Sequence, residues 1–183
     1  MGREVDRALV ATVLRHAGDF PWTMQDIGLL GLWLDDRREV RLHVWGPGHC
    51  DGDPPVHDHP FDFTSEVIAG ELTDIDYEMD PGGTEYVRFR YSPADEDSRR
   101  ADTVRLSASA TTLTGGAEYR HLATELHSTR QLPGTVTAIR CAFVQVPELT
   151  VCHLDAGSWR PGRSRPAAPG EIELFAAAAL EWF

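Results

Sequence analysis

The sequence predicts an all-β fold with a short helix at each end of the chain. Most of the chain consists of short segments with the alternating polar and apolar pattern of strands, and Gly, Pro or Asp residues separate them. The segment 84–92, TEYVRFRYS, has the clearest alternation. Many short strands between two terminal helices indicate a β-sandwich or a small barrel, and a small barrel can enclose one ligand.

The helices are predicted at the two ends. Residues 3–17 have apolar side chains at helical spacing, and Gly18 follows them as a stop signal. Residues 171–183, EIELFAAAALEWF, predict the closing helix, with several apolar side chains available to pack. The segment 158–170, which precedes this helix, is rich in Pro, Gly and Arg, and we expect it to be irregular.

The strands lie between these helices. The segment 29–45 predicts two strands around a turn at 35–36, and 46–55 is a loop by composition. The sequence DPGG at 80–83 predicts a turn, and 93–102 predicts a charged, solvated loop. Further strands are predicted within 56–59, 63–79, 84–92, 103–116, 118–130 and 134–154, with a turn near 123–124 and breaks at 115–116 and 133–134. We find no internal repeat and no linker, and we expect one domain.

Composition excludes several classes of function. The 183 residues contain 17 basic and 29 acidic side chains, a net charge of −12, and every basic one is arginine. This balance argues against nucleic-acid binding, and the lack of lysine excludes Schiff-base and P-loop lysine chemistry. No apolar run is long enough for a membrane span, and the N-terminus does not resemble a secretory signal. Three cysteines without CxxC spacing indicate reduced thiols, so we expect a cytoplasmic protein with no membrane partner.

Four histidines are candidates for a site. His57 and His59 lie one residue apart, so on a strand both imidazoles project from the same face. Two such histidines are either ordinary polar residues or half of a metal site. His121 and His127 follow downstream, and His43 in VRLHVW is placed to line the same pocket from a neighbouring strand.

These histidine segments resemble the two motifs of the cupin family. The first motif, HxH followed by a strand that ends in glycine, matches His57, His59 and Gly70. The second runs from a glycine to a third histidine and matches Gly116 to His127, although its usual Pro and Gly are replaced by Leu and Thr. The motifs cover 56–70 and 115–127. With the flanking strands, the resemblance extends over about 27–151.

The resemblance implies a single cupin domain over 1–183. Its fold would be a double-stranded β-helix, a jelly-roll barrel, with its core at about 27–151 and an irregular segment and helix at 158–183. One divalent metal ion would be bound through His57, His59 and His127, with His121 as the competing third ligand. Cupins commonly dimerise through sheet edges, so a homodimer is a possible assembly.

One departure from most metal cupins narrows the resemblance. Phe63 stands where those proteins supply a glutamate ligand, and Glu66, three residues later, projects from the opposite face of its strand. This pattern is similar to thiol dioxygenases, the cysteine dioxygenase branch of the cupins, which bind Fe(II) through three histidines. Their Ser-His-Tyr relay would lie near 138–146, AIRCAFVQV, where no such residues are present.

The predicted substrate-binding residues are Arg41, His43, Arg90 and Tyr119. Arg41 lies two residues before His43 and so on the same face of its strand. In thiol dioxygenases an arginine on an early strand receives the substrate carboxylate, and the resemblance assigns that role to Arg41 or Arg90 through a bidentate contact. Tyr119 is a candidate hydroxyl donor in the pocket.

The expected function is metal-dependent chemistry on a small-molecule substrate. The resemblance favours an Fe(II) dioxygenase that acts on a small polar or anionic metabolite. The alternatives are a non-redox Zn or Ni cupin that serves as an isomerase, a lyase or a biosynthetic enzyme on an amino-acid-derived intermediate, and a ligand-binding cupin without catalysis. Copper is a further metal that three imidazoles accommodate.

Overall fold

A computed structural model of the protein describes residues 5–25, 27–46, 55–92, 97–143, 146, 148–154 and 164–183. These residues form two α-helices, α1 (Arg7–Arg15) and α2 (Pro169–Leu180), a short 3₁₀ helix (Ala17–Asp19), and twelve β-strands. All strand pairings are antiparallel. The predicted all-β class with terminal helices is confirmed.

The strands form two sheets. The strands are β1 (Thr23–Gln25), β2 (Leu29–Trp33), β3 (Val40–Trp45), β4 (Val56–His57), β5 (Phe61–Ala69), β6 (Glu71–Ser92), β7 (Asp97–Thr114), β8 (Glu118–His121), β9 (Leu126–Gln131), β10 (Val136–Phe143), β11 (Leu149–His153) and β12 (Ser164–Pro166). A seven-stranded sheet has the order β12-β1-β2-β3-β10-β5-β8, and a five-stranded sheet has the order β11-β4-β9-β6-β7. In addition, β11 pairs with β6.

Both helices pack on one face of the seven-stranded sheet. Leu42 and Val44 of β3 are fully buried on this face, where they join a core cluster that includes Val10 and Leu14 of α1 and Phe175 of α2. The opposite face of β3 carries Arg41, His43 and Trp45, which line a cavity between the two sheets. The period-2 alternation of one strand therefore divides the hydrophobic core from the cavity.

The two ends of the chain are close to the predictions. Helix α1 begins after Asp6, whose side chain accepts a hydrogen bond from Ala8 N at 2.8 Å. Helix α2 begins at Pro169, a residue suited to the first helical turn. Part of the segment expected to be irregular is instead strand β12, which pairs with β1. In the described part of the chain, neither helix is long and apolar enough to cross a membrane.

Strands β6 and β7 form a long ribbon that corrects two predictions. The turn expected at 80–83 does not separate two strands: Met79 and Thr84 both pair with Leu106, so the four residues between them are an insertion within β6. The charged segment 97–102, expected as loop, belongs to β7. Pairing with β6 explains this, because Arg88 and Asp102 lie opposite each other and form an ion pair. Residues 93–96 and most of the predicted loop 46–55 lie outside the described residues.

The tight turn between β5 and β6 requires glycine. Gly70 has a φ of +88°, a conformation that other residues rarely adopt. A Cβ at Gly70 would also lie 2.6 Å from Thr135 Oγ1. At this turn the chain passes from β5 of the seven-stranded sheet to β6 of the five-stranded sheet, so Gly70 joins the two sheets.

Candidate metal and ligand site

Three histidines converge at the cavity. His57 on β4 is the direct cross-strand partner of His127 on β9, and His59 follows on the same face. The ring centroids are 4.8 Å apart for His57–His59, 4.9 Å for His57–His127 and 5.1 Å for His59–His127. One nitrogen from each ring lies within 4.8 Å of the others, an arrangement that can hold a metal ion.

The chemistry of these rings suits metal binding. Burial lowers the pKa of His57 to about 4, lowers the pKa of His59 well below its usual value, and also lowers the pKa of His127. All three rings are therefore neutral at pH 7, with a lone pair on one nitrogen each. His57 Nδ1 is 3.0 Å from the Pro55 carbonyl oxygen, to which it donates, so its Nε2 is the free acceptor.

The segment that carries the histidine pair is anchored by the residue between them. Asp58 projects from the opposite face, and its Oδ1 accepts a hydrogen bond from Thr150 N at 2.7 Å. Asp58 N donates in turn to Thr150 O at 3.1 Å. Burial raises the pKa of Asp58 to about 6. These two contacts fix the segment against β11 and so hold both imidazoles toward the cavity.

Asp74 and His121 form a second group behind His127. His121 Nε2 lies 2.9 and 3.1 Å from the two Asp74 carboxylate oxygens, and its ring centroid is 4.1 Å from that of His127. His127 Nδ1 is 3.5 Å from Asp74 Oδ1, a polar contact longer than a usual hydrogen bond. Burial would lower the pKa of His121, but the Asp74 carboxylate raises it overall. Asp74, His121 and His127 also can hold a metal ion.

Sequence reasoning missed Asp74. It is buried on β6, and its contacts arise because β6 lies beside β9 in the five-stranded sheet. The signal available was an acidic residue two positions after Leu72, and so on the same face of the strand segment LTDID.

Phe63 lies where the sequence analysis placed it, against the histidines. Its ring centroid is 5.1 Å from His59 and 5.4 Å from His127. Glu66 instead borders a separate pocket beside the N-terminal helix, and its Oε2 is 3.6 Å from Arg140 Nη2. Glu66, the glutamate nearest to position 63 in the sequence, therefore does not line the histidine cavity.

The cavity brings together most of the predicted substrate-binding residues. It has a volume of about 830 Å³ and is lined by all three histidines together with Arg41, His43 and Tyr119. Arg90 is different. It lies on β6 opposite Arg99 of β7 and Thr150 of β11, and it does not line the cavity, so the structure does not support its substrate-binding role. The charge of Arg90 acts instead on Asp58, which projects from the face opposite His57 and His59.

Arg41 is held by neutral partners. Its Nη2 donates to Thr23 Oγ1 at 3.2 Å, and its guanidinium carbon is 5.3 Å from the centre of the Trp33 ring. With the amide oxygen of Gln25 turned toward it, Gln25 accepts from Nη1 and Nη2 at 2.8 Å each. The guanidinium lies over Gly31, where a Cβ would be 2.2 Å from Nη2. Among the described residues, no carboxylate forms an ion pair with Arg41.

His43 and Tyr119 contribute uncharged side chains to the wall. His43 is 9% exposed, and neither of its ring nitrogens has a hydrogen-bond partner. Burial lowers the pKa of His43, so the ring is neutral, and burial raises the pKa of Tyr119, so the hydroxyl stays protonated. The permanent positive charges at the cavity wall are those of Arg41, which is half-buried, and Arg130, which is exposed.

Comparisons with known proteins do not assign a family. No family model matches the chain, and no curated protein matches it. A solved structure of Drosophila melanogaster CENP-C bound to CAL1 aligns with 80% of this chain and 94% of that chain, with 10% identity and a TM-score of 0.21. A TM-score this low carries no argument about fold or function.

Proposed function

We propose that the protein is a metal-dependent cupin enzyme that holds one divalent metal ion through His57, His59 and His127. The observation that carries the proposal is the convergence of three neutral imidazoles on the wall of a cavity between two antiparallel sheets. Two facing sheets around a ligand cavity are also what a jelly-roll barrel contains. The cupin assignment rests on this architecture and on the resemblance of the two histidine motifs.

The three imidazole nitrogens fit a divalent metal ion. Three neutral imidazoles suit Fe(II), Zn(II), Ni(II) or copper, and a three-ligand set leaves positions open for substrate, as catalytic sites require. Bound Fe(II) would supply activation of O₂ for oxygenation of a substrate, which is our first choice. The hydrophobic rings of Phe61 and Phe63 border the histidines and would keep water away from the reacting groups.

The surrounding residues have separable roles. The Pro55 carbonyl fixes the tautomer of His57, and the Asp74 carboxylate beside His127 Nδ1 favours the tautomer with the lone pair on Nε2, the atom that lies 3.0 Å from His59 Nε2. Arg41 binds an anionic group of the substrate, because of the two arginines in the cavity wall, Arg41 and Arg130, it is the half-buried one, and it has no ion pair with a carboxylate among the described residues. His43 and Tyr119 contact the part of the substrate that lies between the metal site and Arg41.

A non-redox enzyme is the second candidate. Strand β10 contributes Ile139 and Cys141 to the cavity wall, in the segment where the resemblance would place the Ser-His-Tyr relay of thiol dioxygenases. An isomerase, lyase or biosynthetic enzyme would use Zn or Ni as a Lewis acid and would not need that relay. Under either proposal the enzyme acts in the cytoplasm on a small molecule, and a homodimer is the proposed assembly.

The test is to purify the protein without a polyhistidine tag under anaerobic conditions and to determine its metals by plasma mass spectrometry. Iron, followed by substrate-dependent O₂ uptake across a panel of carboxylates, supports the dioxygenase. Zinc or nickel without O₂ uptake supports the second candidate. If the chain takes up no divalent metal even after reconstitution, the proposal is wrong.

A further inference from the structure

The cavity also limits which substrates can bind. The first limit is the distance between its two polar ends, Arg41 at one end and the three histidines at the other. The Arg41 guanidinium lies over Gly31 of β2, whereas Phe63, which contacts two of the histidines, is on β5. In the order β2-β3-β10-β5 these strands are three spacings apart, about 14 Å along the sheet at ~4.8 Å per strand. A two- or three-carbon acid bound at the histidines would not reach Arg41.

The wall between Arg41 and the histidines is mainly apolar, with His43 and Tyr119 as polar side chains within it. The side chains that line it there include Leu29, Trp33, Trp45, Phe61 and Ile139. A ligand body with many polar groups would lose more hydration here than the few polar side chains of this wall replace, which is unfavourable. An apolar or aromatic body would instead bury its surface against these rings.

The size of the cavity agrees with a larger ligand. At about 830 Å³, it is in the upper part of the range of ~300–1,000 Å³ that is typical of sites for drug-sized molecules. A small amino-acid thiol would leave most of this space empty. The length, the mainly apolar wall and the volume of the cavity therefore all indicate a ligand larger than a small amino-acid thiol.

The charged end requires an anion. A half-buried guanidinium with only neutral partners among the described residues has lost part of its hydration without a countercharge. A carboxylate of the ligand supplies that charge and matches the planar guanidinium geometry.

We propose that the substrate is an elongated carboxylate with an apolar, aromatic-sized body that reaches from Arg41 to the three histidines. This inference rests on the proposed function for its histidine end. What it adds is the length and apolarity of the substrate, which differ from the small polar metabolite expected from the sequence.

The test uses wild-type protein stripped of metal with EDTA and three probes in isothermal titration calorimetry. The probes are 4-phenylbutyrate, butyrate, which lacks the ring, and 4-phenyl-1-butanol, which lacks the charge. We expect 4-phenylbutyrate to bind at least about tenfold more tightly than either of the others, as the loss of a charged hydrogen-bond partner or of ring burial predicts. Equal affinities for the three probes would overturn the proposal.

Two variants locate the carboxylate. Arg41→Gln is expected to bind 4-phenylbutyrate no more tightly than 4-phenyl-1-butanol, whereas Arg105→Gln, a change at an exposed arginine on β7, keeps the wild-type preference. An unchanged preference in folded Arg41→Gln protein would show that the carboxylate does not bind there, which overturns the proposal.

A parallel titration of the metal-free protein with Zn(II) separates the two claims. Protein that discriminates the probes through Arg41 but binds no Zn(II) keeps this inference about ligand class and loses the proposed metal enzyme. Protein that binds Zn(II) but does not discriminate the probes keeps the metal site and loses the inference.

Discussion

The two faces of the seven-stranded sheet are built from the same strands but have opposite character. On β3, Leu42 and Val44 point toward the helices and are fully buried, whereas Arg41 and His43 point toward the cavity. The helix face contains closely packed apolar side chains. The cavity face contains a cation without an acidic partner in the described chain and a histidine whose nitrogens have no hydrogen-bond partner.

This difference separates stability from function. Apolar burial is the main source of folding free energy, so the helix face holds the sheet together. Buried polar groups without partners weaken a fold, and they are retained where a ligand completes them. Substitutions on the helix face should therefore change unfolding, and substitutions on the cavity face should change ligand binding.

The largest effect is expected at the histidines. His57→Ala, His59→Ala or His127→Ala should each remove most of the bound metal, because two imidazoles remain of three, while the free energy of unfolding of the metal-free protein changes little. Plasma mass spectrometry of each purified variant, with circular dichroism to verify folding, measures this. His121→Ala and Glu66→Ala are the matched controls and should retain the metal. Full occupancy in folded His127→Ala protein would refute His127 as the third ligand.

The next largest effect is expected on the helix face. Leu42→Ala should lower the free energy of unfolding by about 2–5 kcal/mol, the cost of a cavity in a packed core. The neighbouring change His43→Leu should cost less than about 1 kcal/mol, because it removes two buried nitrogens that have no partner. Urea denaturation of both variants gives the comparison. A larger loss for His43→Leu than for Leu42→Ala would contradict the division between the two faces.

A pH effect is expected from the neutral histidines. The folded-state pKa of His57 is about 4, whereas an unfolded histidine titrates near 6.5, so only the unfolded chain gains this proton as the pH falls between these values. His59 and His127 act in the same direction, while the raised pKa of Asp58 opposes them; the raised pKa of His121 adds a stabilisation that is present below pH 6.5 and is lost at higher pH. The metal-free protein should therefore lose stability from pH 6.5 toward pH 4.

His57→Gln isolates one of these groups. Removing it should reduce the slope of unfolding free energy against pH by up to about one proton, or ~1.4 kcal/mol per pH unit. Urea denaturation of EDTA-treated protein at several pH values in this window measures both slopes. An identical slope in the wild type and in His57→Gln would show that His57 is not neutral in the folded protein.

The smallest effect is expected from a charge at position 63. If no protein carboxylate binds the metal, its open positions should accept anions readily, and Phe63→Glu should weaken anion binding by neutralising part of the metal charge. We expect a loss of about tenfold or less. Azide titration of the Co(II)-loaded protein, followed by absorption, measures it, with Phe63→Gln as the uncharged control. Equal or tighter azide binding by metallated Phe63→Glu would show that this position does not act on the metal.

The sequence was sufficient to predict the elements that depend on local pattern. The paired strands around 35–36, the turn near 123–124 and the buried face of 84–92 follow from alternation and turn residues, and all are present. The convergence of His57, His59 and His127 followed from the resemblance to a motif. It did not follow from spacing alone.

Features that depend on strand register could not be predicted. The contact of Asp74 with His121 and His127 arises from three different strands, β6, β8 and β9, whose alignment no local pattern encodes. The Thr23 and Gln25 contacts of Arg41 require β1 to lie two strands from β3. The charged segment 97–102 is a strand because β6 supplies its partners, and tertiary pairing overrides its polar composition.

The most direct test of the central claim is X-ray absorption spectroscopy of the Zn(II)-loaded protein. Two three-residue groups compete for the metal: His57, His59 and His127 at the cavity, and Asp74, His121 and His127 behind it. We predict one zinc per chain with three imidazole nitrogens at about 2.0–2.1 Å, a spectrum that is unchanged in Asp74→Asn, whereas His59→Ala loses most of its zinc. A spectrum with two imidazoles and a carboxylate oxygen, unchanged in His59→Ala, would place the metal at the second group and contradict the proposed site.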